Sequence, residues 1–465
     1  MNANLYALLA ARFPTGDAPC LLLGDGEVVT YAEVAAEADR IAGWLAEQSV
    51  TIGSRVVVQA PKVPELLSLY LAVLKMGAVY TPLNDAYTEA EVDYFIDDAE
   101  PALVVHDAAA VARLARDAAP FGEAAERAPD DLAALIYTSG TTGRSKGAMV
   151  THGNLASNAL TLQAAWGFTA DDVLLHALPL FHVHGLFVAL HCALLSGAPM
   201  LWLPKFDAGA VLEALPRATV MMGVPTFYTR LLAEPGFTRE AAAGVRLFIS
   251  GSAPLLAATF DEFDARTGQR ILERYGMSEA GMITSNPLEG ERIAGSVGFP
   301  LPGVSLRLSE AGGIEIRGPN VFRGYWRMPE KTAEEFTSDG WFKTGDIGRA
   351  DPDGRVWITG RAKDLIISGG FNVYPKEIEL LLDAMPGVAE SAVIGVPHPD
   401  YGEAVVAVVV GEAEEAALLA GARESLAGFK APKRILFVQA LPRNAMGKVQ
   451  KNVLRDCYRD LFASS

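Results

Sequence analysis

The sequence predicts an α/β fold: a large N-terminal domain of parallel sheets, helices and a β-hairpin subdomain, followed by a small mobile α+β domain. Three observations lead there. Between Arg55 and Tyr275, short apolar runs (RVVVQA, DVLLHALPL, PMLWLP, ATVMMGVP, VRLFISG) alternate with helical patterns at 64–76, 185–195, 226–233 and 255–267. Such alternation implies parallel strands covered by helices. The Gly/Pro-punctuated stretch 314–358 reads as short β-hairpins, with Asp353-Gly354 as a turn. Beyond GRAKDLIISGG, the pattern restarts with an amphipathic helix (YPKEIELLLDAMPGV), two strands (SAVIGV, AVVAVVVGE) and a second helix around 414–426. A chain of 465 residues exceeds one ordinary core. The expected domains are 1–360 and 361–465, the second close to the common domain size.

Composition narrows the function. Half of the residues are hydrophobic and the net charge is −17, which argues against general affinity for nucleic acid or an anionic membrane. No apolar run is long enough to span a bilayer, and the N-terminus lacks a basic segment followed by an apolar core. Three distant cysteines, Cys20, Cys192 and Cys457, have no metal-like spacing and fit a reducing, cytoplasmic setting. Small anionic ligands need only local positive charge. The C-terminal end offers it in Lys430, Lys433, Arg434, Arg443, Lys448, Lys451 and Arg455, unless these merely form a solvated face.

The most informative stretch is Tyr137-Thr138-Ser139-Gly140-Thr141-Thr142-Gly143-Arg144-Ser145-Lys146-Gly147. Glycines bring the backbone close to a ligand, amides and hydroxyls donate to phosphate oxygens, and Arg144 and Lys146 add charge. It is not a Walker A loop, because Ser145 precedes the lysine and Gly147 follows it. Four more strings follow: Tyr275-Gly276-Met277-Ser278-Glu279, Lys343-Thr344-Gly345-Asp346, Gly360-Arg361-Ala362-Lys363-Asp364, and Pro442-Arg443-Asn444-Ala445-Met446-Gly447-Lys448. Each alone has a bland reading as a linker, a plain turn, a turn cap or a surface lysine.

Together, in this order, the five resemble the motifs of the adenylate-forming superfamily of acyl-CoA synthetases, luciferases and peptide-synthetase adenylation domains. That resemblance implies ATP and coenzyme A as co-substrates, with Mg²⁺. It places the nucleotide on Thr138, Ser139, Gly140, Thr141, Thr142, Gly143, Lys146, Ser252 and Ala253. Tyr275 and Gly276 would meet adenine, and Asp346 and Arg361 the ribose. Ser278 would meet the α-phosphate, Glu279 would ligate magnesium, and Lys448 would contact carboxylate and phosphate oxygens during adenylation. A cation where charge develops is a large catalytic term. Lys363 matches the interdomain hinge, and Gly369 and Gly370 would line a tunnel for pantetheine.

The acid pocket should draw on LPLFHVHGLF, GVPTFY and SGSAP, hence on His182, Thr226, Gly251 and Ser252. The wording around LPLFHVHGL, TSNPLEGERIAGSVGFPLPGV and RGPNVFRGYWRMPEKT resembles the malonyl-CoA and methylmalonyl-CoA synthetases. A second carboxylate needs a fixed cation, and Arg292 is the expected fork for it, unless it pairs with Glu289 or Glu291 on the surface. His182 would lie by the reacting carboxylate, while His176, His184 and His191 lie near it in sequence without metal-like spacing. Short-chain or aryl acyl-CoA synthetases, carrier-loading adenylation enzymes and a silent binding protein on the same fold remain alternatives.

Overall fold

The computed structural model describes residues 2–138, 145–444 and 447–462. Two sheets build the N-terminal part. The first runs in the order Leu103–Val105, Arg55–Val58, Val79–Pro82, Leu132–Thr138, Lys146–Thr151. It is parallel apart from the last pair, Leu132–Thr138 with Lys146–Thr151, which is antiparallel. The second sheet has thirteen strands. Its central strands, Pro19–Leu22, Met200–Trp202, Leu174–His176, Val220–Gly223, Leu247–Ser250 and Leu272–Met277, are parallel.

Between the two sheets lies the main core. The helix Pro64–Lys75 is buried from Leu66 onward, as a helix apolar on all sides must be. Leu190–Ser196 joins it in the same cluster, beside Val56 and Val58 of one sheet and Leu174 and Met200 of the other. The pattern at 185–195 predicts one α-helix; the structure instead gives a π-helical turn, His184–Ala189, before Leu190–Ser196. Gly185 there lies so close to the Pro179 carbonyl that a Cβ would come within 2.1 Å of it. Single π-turns of this kind often mark functional sites.

Past Leu272–Met277 the pairing becomes antiparallel through Gly281–Ser285, Ser296–Pro300, Val356–Arg361 and Phe342–Ala350. The chain leaves this sheet at Arg361, crosses a 3-10 turn at Ala362–Asp364, and enters the small sheet at Ile366–Ser368. In that sheet, alternate residues of Val388–His398 and Gly402–Gly411 face opposite sides. Val393, Val405 and Ala407 meet the helices Pro375–Asp383 and Glu415–Ser425, while Ile394, Val406 and Val408 meet Leu454 of Lys451–Cys457. Gly369 and Gly370, both at positive φ, form the two-residue turn between Ile366–Ser368 and Phe371–Val373.

This architecture sets where function can lie. In an open parallel sheet, ligands gather at the carboxyl ends of the strands. Here those ends deliver the loop after His176, Thr226 after Gly223, Gly251 and Ser252 after Ser250, and Ser278 and Glu279 after Met277 to one edge.

Candidate functional site

One part of that edge is organised around Asp346. Cross-strand register sets it opposite Arg361, whose Nε forms an ion pair with Oδ1 at 2.8 Å. The Tyr275 hydroxyl donates to Oδ2 at 2.5 Å. Both oxygens keep a second lone pair for further donors, such as a pair of vicinal hydroxyls. Burial, then the Asp346 charge, pushes the Tyr275 phenol well up, so it stays a donor. Next to Tyr275, Gly276 has no room for a side chain. A Cβ there would lie 2.3 Å from the Gly281 carbonyl, at the irregularity in the pairing that turns the chain towards Ser278 and Glu279.

Glu279 is buried and its Oε1 accepts from the Tyr325 hydroxyl at 3.1 Å. Burial raises its pKa, while Tyr325, Lys146 and Arg361 pull the other way. Lys146 lies over the Tyr325 ring at 4.3 Å and pairs loosely with Glu335 at 3.7 Å. Thr138 opposes Lys146 in the antiparallel pair and bonds its carbonyl. Ser139, Gly140, Thr141, Thr142 and Gly143 lie outside the described residues.

The second part is a cluster of cationic and imidazole groups. Arg274, in the strand Leu272–Met277, is 3 % exposed, and its Nε and one terminal nitrogen have no hydrogen-bond partner. Its guanidinium lies directly over Gly251, where a Cβ would come 2.3 Å from it. Burial lowers its pKa to about 9, which leaves it cationic at neutral pH. His182 and His184 face this charge. Burial, then the Lys448 and Arg274 cations, lowers His182 to about 3. Its Nδ1 accepts the His184 backbone N–H at 3.3 Å, so the proton of the neutral ring sits on Nε2 and can be donated. Ser252 lies 3.4 Å from His184 Nδ1 and holds a positive φ of 70°, unusual outside glycine. Ala253 follows in the same half-buried turn.

Lys448 reaches into this cleft from the C-terminal domain. The preceding Gly447 lies beside Thr226, with a Cβ position 3.9 Å from its Oγ1. The lysine touches water yet is walled by protein. Burial and the nearby Arg361 lower its pKa to about 8, against the opposing pull of Asp346 and Glu279. Lys363, at the crossing between domains, is lowered to about 8 by burial and by Arg361. The other basic groups of the C-terminal end are mostly consumed in ion pairs: Lys430 with Glu377, Arg434 with Glu415, Arg443 with Glu390, Lys451 with Glu379, Arg455 with Asp364. Among the described residues Lys448 has no carboxylate in ion-pair range.

Two expectations need correcting or restating. Arg292 does not reach the cleft as a free fork: its guanidinium donates to the carbonyls of Pro287, Leu288 and Arg270 at 3.2, 2.8 and 2.7 Å. It ties down the turn-rich segment that follows Ser285, and a carboxylate would have to displace three bonds to use it. Arg274, which the motifs did not single out, is a buried cation at this edge. Its signal was a charge inside a strand otherwise expected to be buried, one residue before Tyr275. Gly369 and Gly370 are accounted for by their turn; a Cβ on Gly370 would meet nothing within 4 Å in this domain arrangement.

Comparison with known proteins places these features in a family context. Residues 9–326 match the AMP-binding enzyme family, and residues 377–448 its C-terminal domain. A malonate–CoA ligase of Arabidopsis thaliana is 34 % identical over 98 % of this chain and 89 % of its own length. A feruloyl-CoA synthase from an Amycolatopsis species is 37 % identical over 92 % of this chain and 94 % of its own. Among solved structures, ATP-bound MatB from Rhodopseudomonas palustris is 51 % identical, with a TM-score of 0.97 over 99 % of this chain and all of that one.

The two arginines should behave oppositely on mutation. Replacing a buried unpaired charge by an apolar side chain of similar length is expected to stabilise the ligand-free protein, by roughly 1–4 kcal/mol. Arg274→Met should therefore raise Tm. Arg292→Ala leaves three carbonyls short of a donor and should lower Tm, at a cost of about 1–3 kcal/mol. Thermal unfolding without ligands checks both; a fall in Arg274→Met would mean that the guanidinium is satisfied in the free protein.

Proposed function

The chain belongs to the AMP-binding enzyme family, and from that premise we propose that it joins malonate to coenzyme A through a malonyl-adenylate. The observation that carries the substrate is Arg274, a buried guanidinium with free donors facing the acid cleft. An apolar or aromatic acyl tail would leave that charge uncompensated in a dry site, at a cost of several kcal/mol. A distal carboxylate instead supplies both the counter-charge and acceptors in fork geometry. The feruloyl-CoA synthase likeness makes an aryl acid the alternative reading, and Arg274 weighs against it.

In the first half-reaction one malonate oxygen attacks the α-phosphorus of ATP and pyrophosphate leaves. In the second, the coenzyme A thiol attacks the acyl carbonyl and AMP leaves. On this reading Asp346 accepts from the ribose hydroxyls, and the Tyr275 ring lies against adenine. His182 donates from Nε2 to the reacting carboxylate while Arg274 holds the distal one. Lys448 offsets charge gathering between carboxylate and α-phosphate, in a transfer where positioning and electrostatics supply most of the rate. Glu279 fits as a protein ligand for Mg²⁺, which commonly takes only one or two carboxylates alongside phosphate oxygens. When bound, the ion would neutralise the polyphosphate. Lys363 is the proposed pivot that withdraws Lys448 once the adenylate has formed.

Selectivity tests the substrate. Leaving the distal carboxylate unpaired costs about 3–5 kcal/mol, or roughly two to four orders of magnitude in kcat/KM. Arg274→Ala should lose that much with malonate and far less with butyrate. An unchanged malonate-to-butyrate ratio, or a wild type that prefers butyrate, sinks the malonate reading.

Lys448 sets the expected pH dependence. A lysine lowered to about 8 is charged below that pH and loses its proton as pH rises through it. The kcat/KM for adenylate formation should therefore fall on the alkaline side of pH 8. The limb should move upward in Lys448→Arg; a limb that stays in place belongs to another group. Lys363→Pro, which fixes φ and removes a donor, should slow thioester formation from supplied malonyl-adenylate. Normal rates in both half-reactions would put the pivot elsewhere.

A further inference from the structure

Lys62 is the one deeply placed lysine that the proposed mechanism leaves without work and that no carboxylate accompanies among the described residues. It is 8 % exposed and lies between the end of Arg55–Val58 in the first sheet and the helix Pro64–Lys75. Its Nζ reaches across to the second sheet. There it contacts the carbonyls of His176 and Leu203, each at 2.7 Å, and His176 Nδ1 at 2.8 Å, above the Trp202 ring at 4.5 Å. His176 is 1 % exposed, and its Nε2 lies 3.0 Å from the Gly185 carbonyl.

Proton bookkeeping constrains this unit. A carbonyl only accepts, so His176 Nε2 must carry a hydrogen towards Gly185. In the neutral ring Nδ1 is then a lone pair, and Lys62 must donate three hydrogens, one to each acceptor, which only an ammonium can do. Moving the bridging proton onto the imidazole leaves the total charge unchanged. Either way Lys62 and His176 share one buried positive charge. Burial opposes it, and a methionine in this position would avoid the penalty.

The contacts show what the charge sustains. His176 ends the strand Leu174–His176, and Gly185 belongs to the π-helical turn His184–Ala189. The bond between them closes the loop that carries His182 and His184. We propose that Lys62 is a positioning residue that acts through His176 to hold the His182–His184 loop in its acid-binding geometry. This rests on the acid-cleft reading above, but not on which acid is used.

The test compares Lys62→Met, His176→Asn and His176→Gln with wild type, measuring pyrophosphate release with malonate and with butyrate, alongside KM for ATP and Tm. A glutamine amide can replace Nε2–H towards Gly185; an asparagine amide can replace Nδ1 towards Lys62 but leaves Gly185 unbonded. An ångström of misplacement can cost about a hundredfold in rate. Lys62→Met and His176→Asn should raise KM for the acid by about tenfold or more, with KM for ATP within about twofold, and His176→Gln should fall between them and wild type. An acid KM unchanged in Lys62→Met, an ATP KM that rises equally, or a His176→Asn no worse than His176→Gln overturns the proposal. If Lys62→Met does not fold, the two His176 variants decide alone. A wild type that takes butyrate in place of malonate defeats the malonate assignment instead, and the same KM comparison is then read on butyrate.

Discussion

An excess of positive charge in one cleft is the constraint on which the rest of the site depends. The chain carries a net charge of −17, yet Arg274, Arg361, Lys363 and Lys448 converge where, among the described residues, Asp346, Glu279 and Asp364 oppose them. Asp346 is already shared between Arg361 and Tyr275. Such an arrangement is costly when empty, because Arg274 is desolvated and the cations repel one another. A triphosphate and a dicarboxylate repair it. Ground-state strain in the free protein thus becomes affinity for anions, which is why a function-bearing arginine is expected to reduce stability.

The scaffold spends its specificity on keeping these charges from neutralising each other prematurely. Gly251 admits the Arg274 guanidinium face-on, and any Cβ would push it away. The C-terminal domain pairs most of the basic side chains around Lys448 with Glu377, Glu379, Glu390, Glu415 and Asp364. Lys451 and Arg455 matter most, since they anchor the helix just past Lys448 to Pro375–Asp383 and to the crossing segment. The delivered lysine is left free while its flanks are fixed.

Much of this was legible in the sequence, for a physical reason. Tyr275, Glu279, Asp346, Arg361 and Lys448 sit in short local strings, so they could be named from their neighbours, and the fold gathers them at one cleft. The alternating strands and helices were equally plain, because burial on both faces imposes its own pattern. The proposed acid-binding groups are different: they come from separate strand ends, and nothing local links Arg274 to His182. Arg292 looked suitable through proximity to Glu279 along the chain, but the carbonyls of Pro287 and Leu288 had first claim on it. Lys62 was invisible for the same reason, its partners lying more than a hundred residues away.

The same electrostatics bears on the order of the two half-reactions. On the proposed mechanism, ATP and a dicarboxylate set anions against Lys448 where it approaches Thr226. Departure of pyrophosphate removes most of that negative charge, while Arg361 and Arg274 remain. Lys448 then keeps Asp346, Glu279 and the adenylate phosphate as anions, against the Arg361 and Arg274 cations. A domain covalently joined to the large sheet through Ala362–Asp364 could answer that imbalance by turning away. On this view no separate trigger is required: the charge lost with the first product is what releases the lysine for the second reaction.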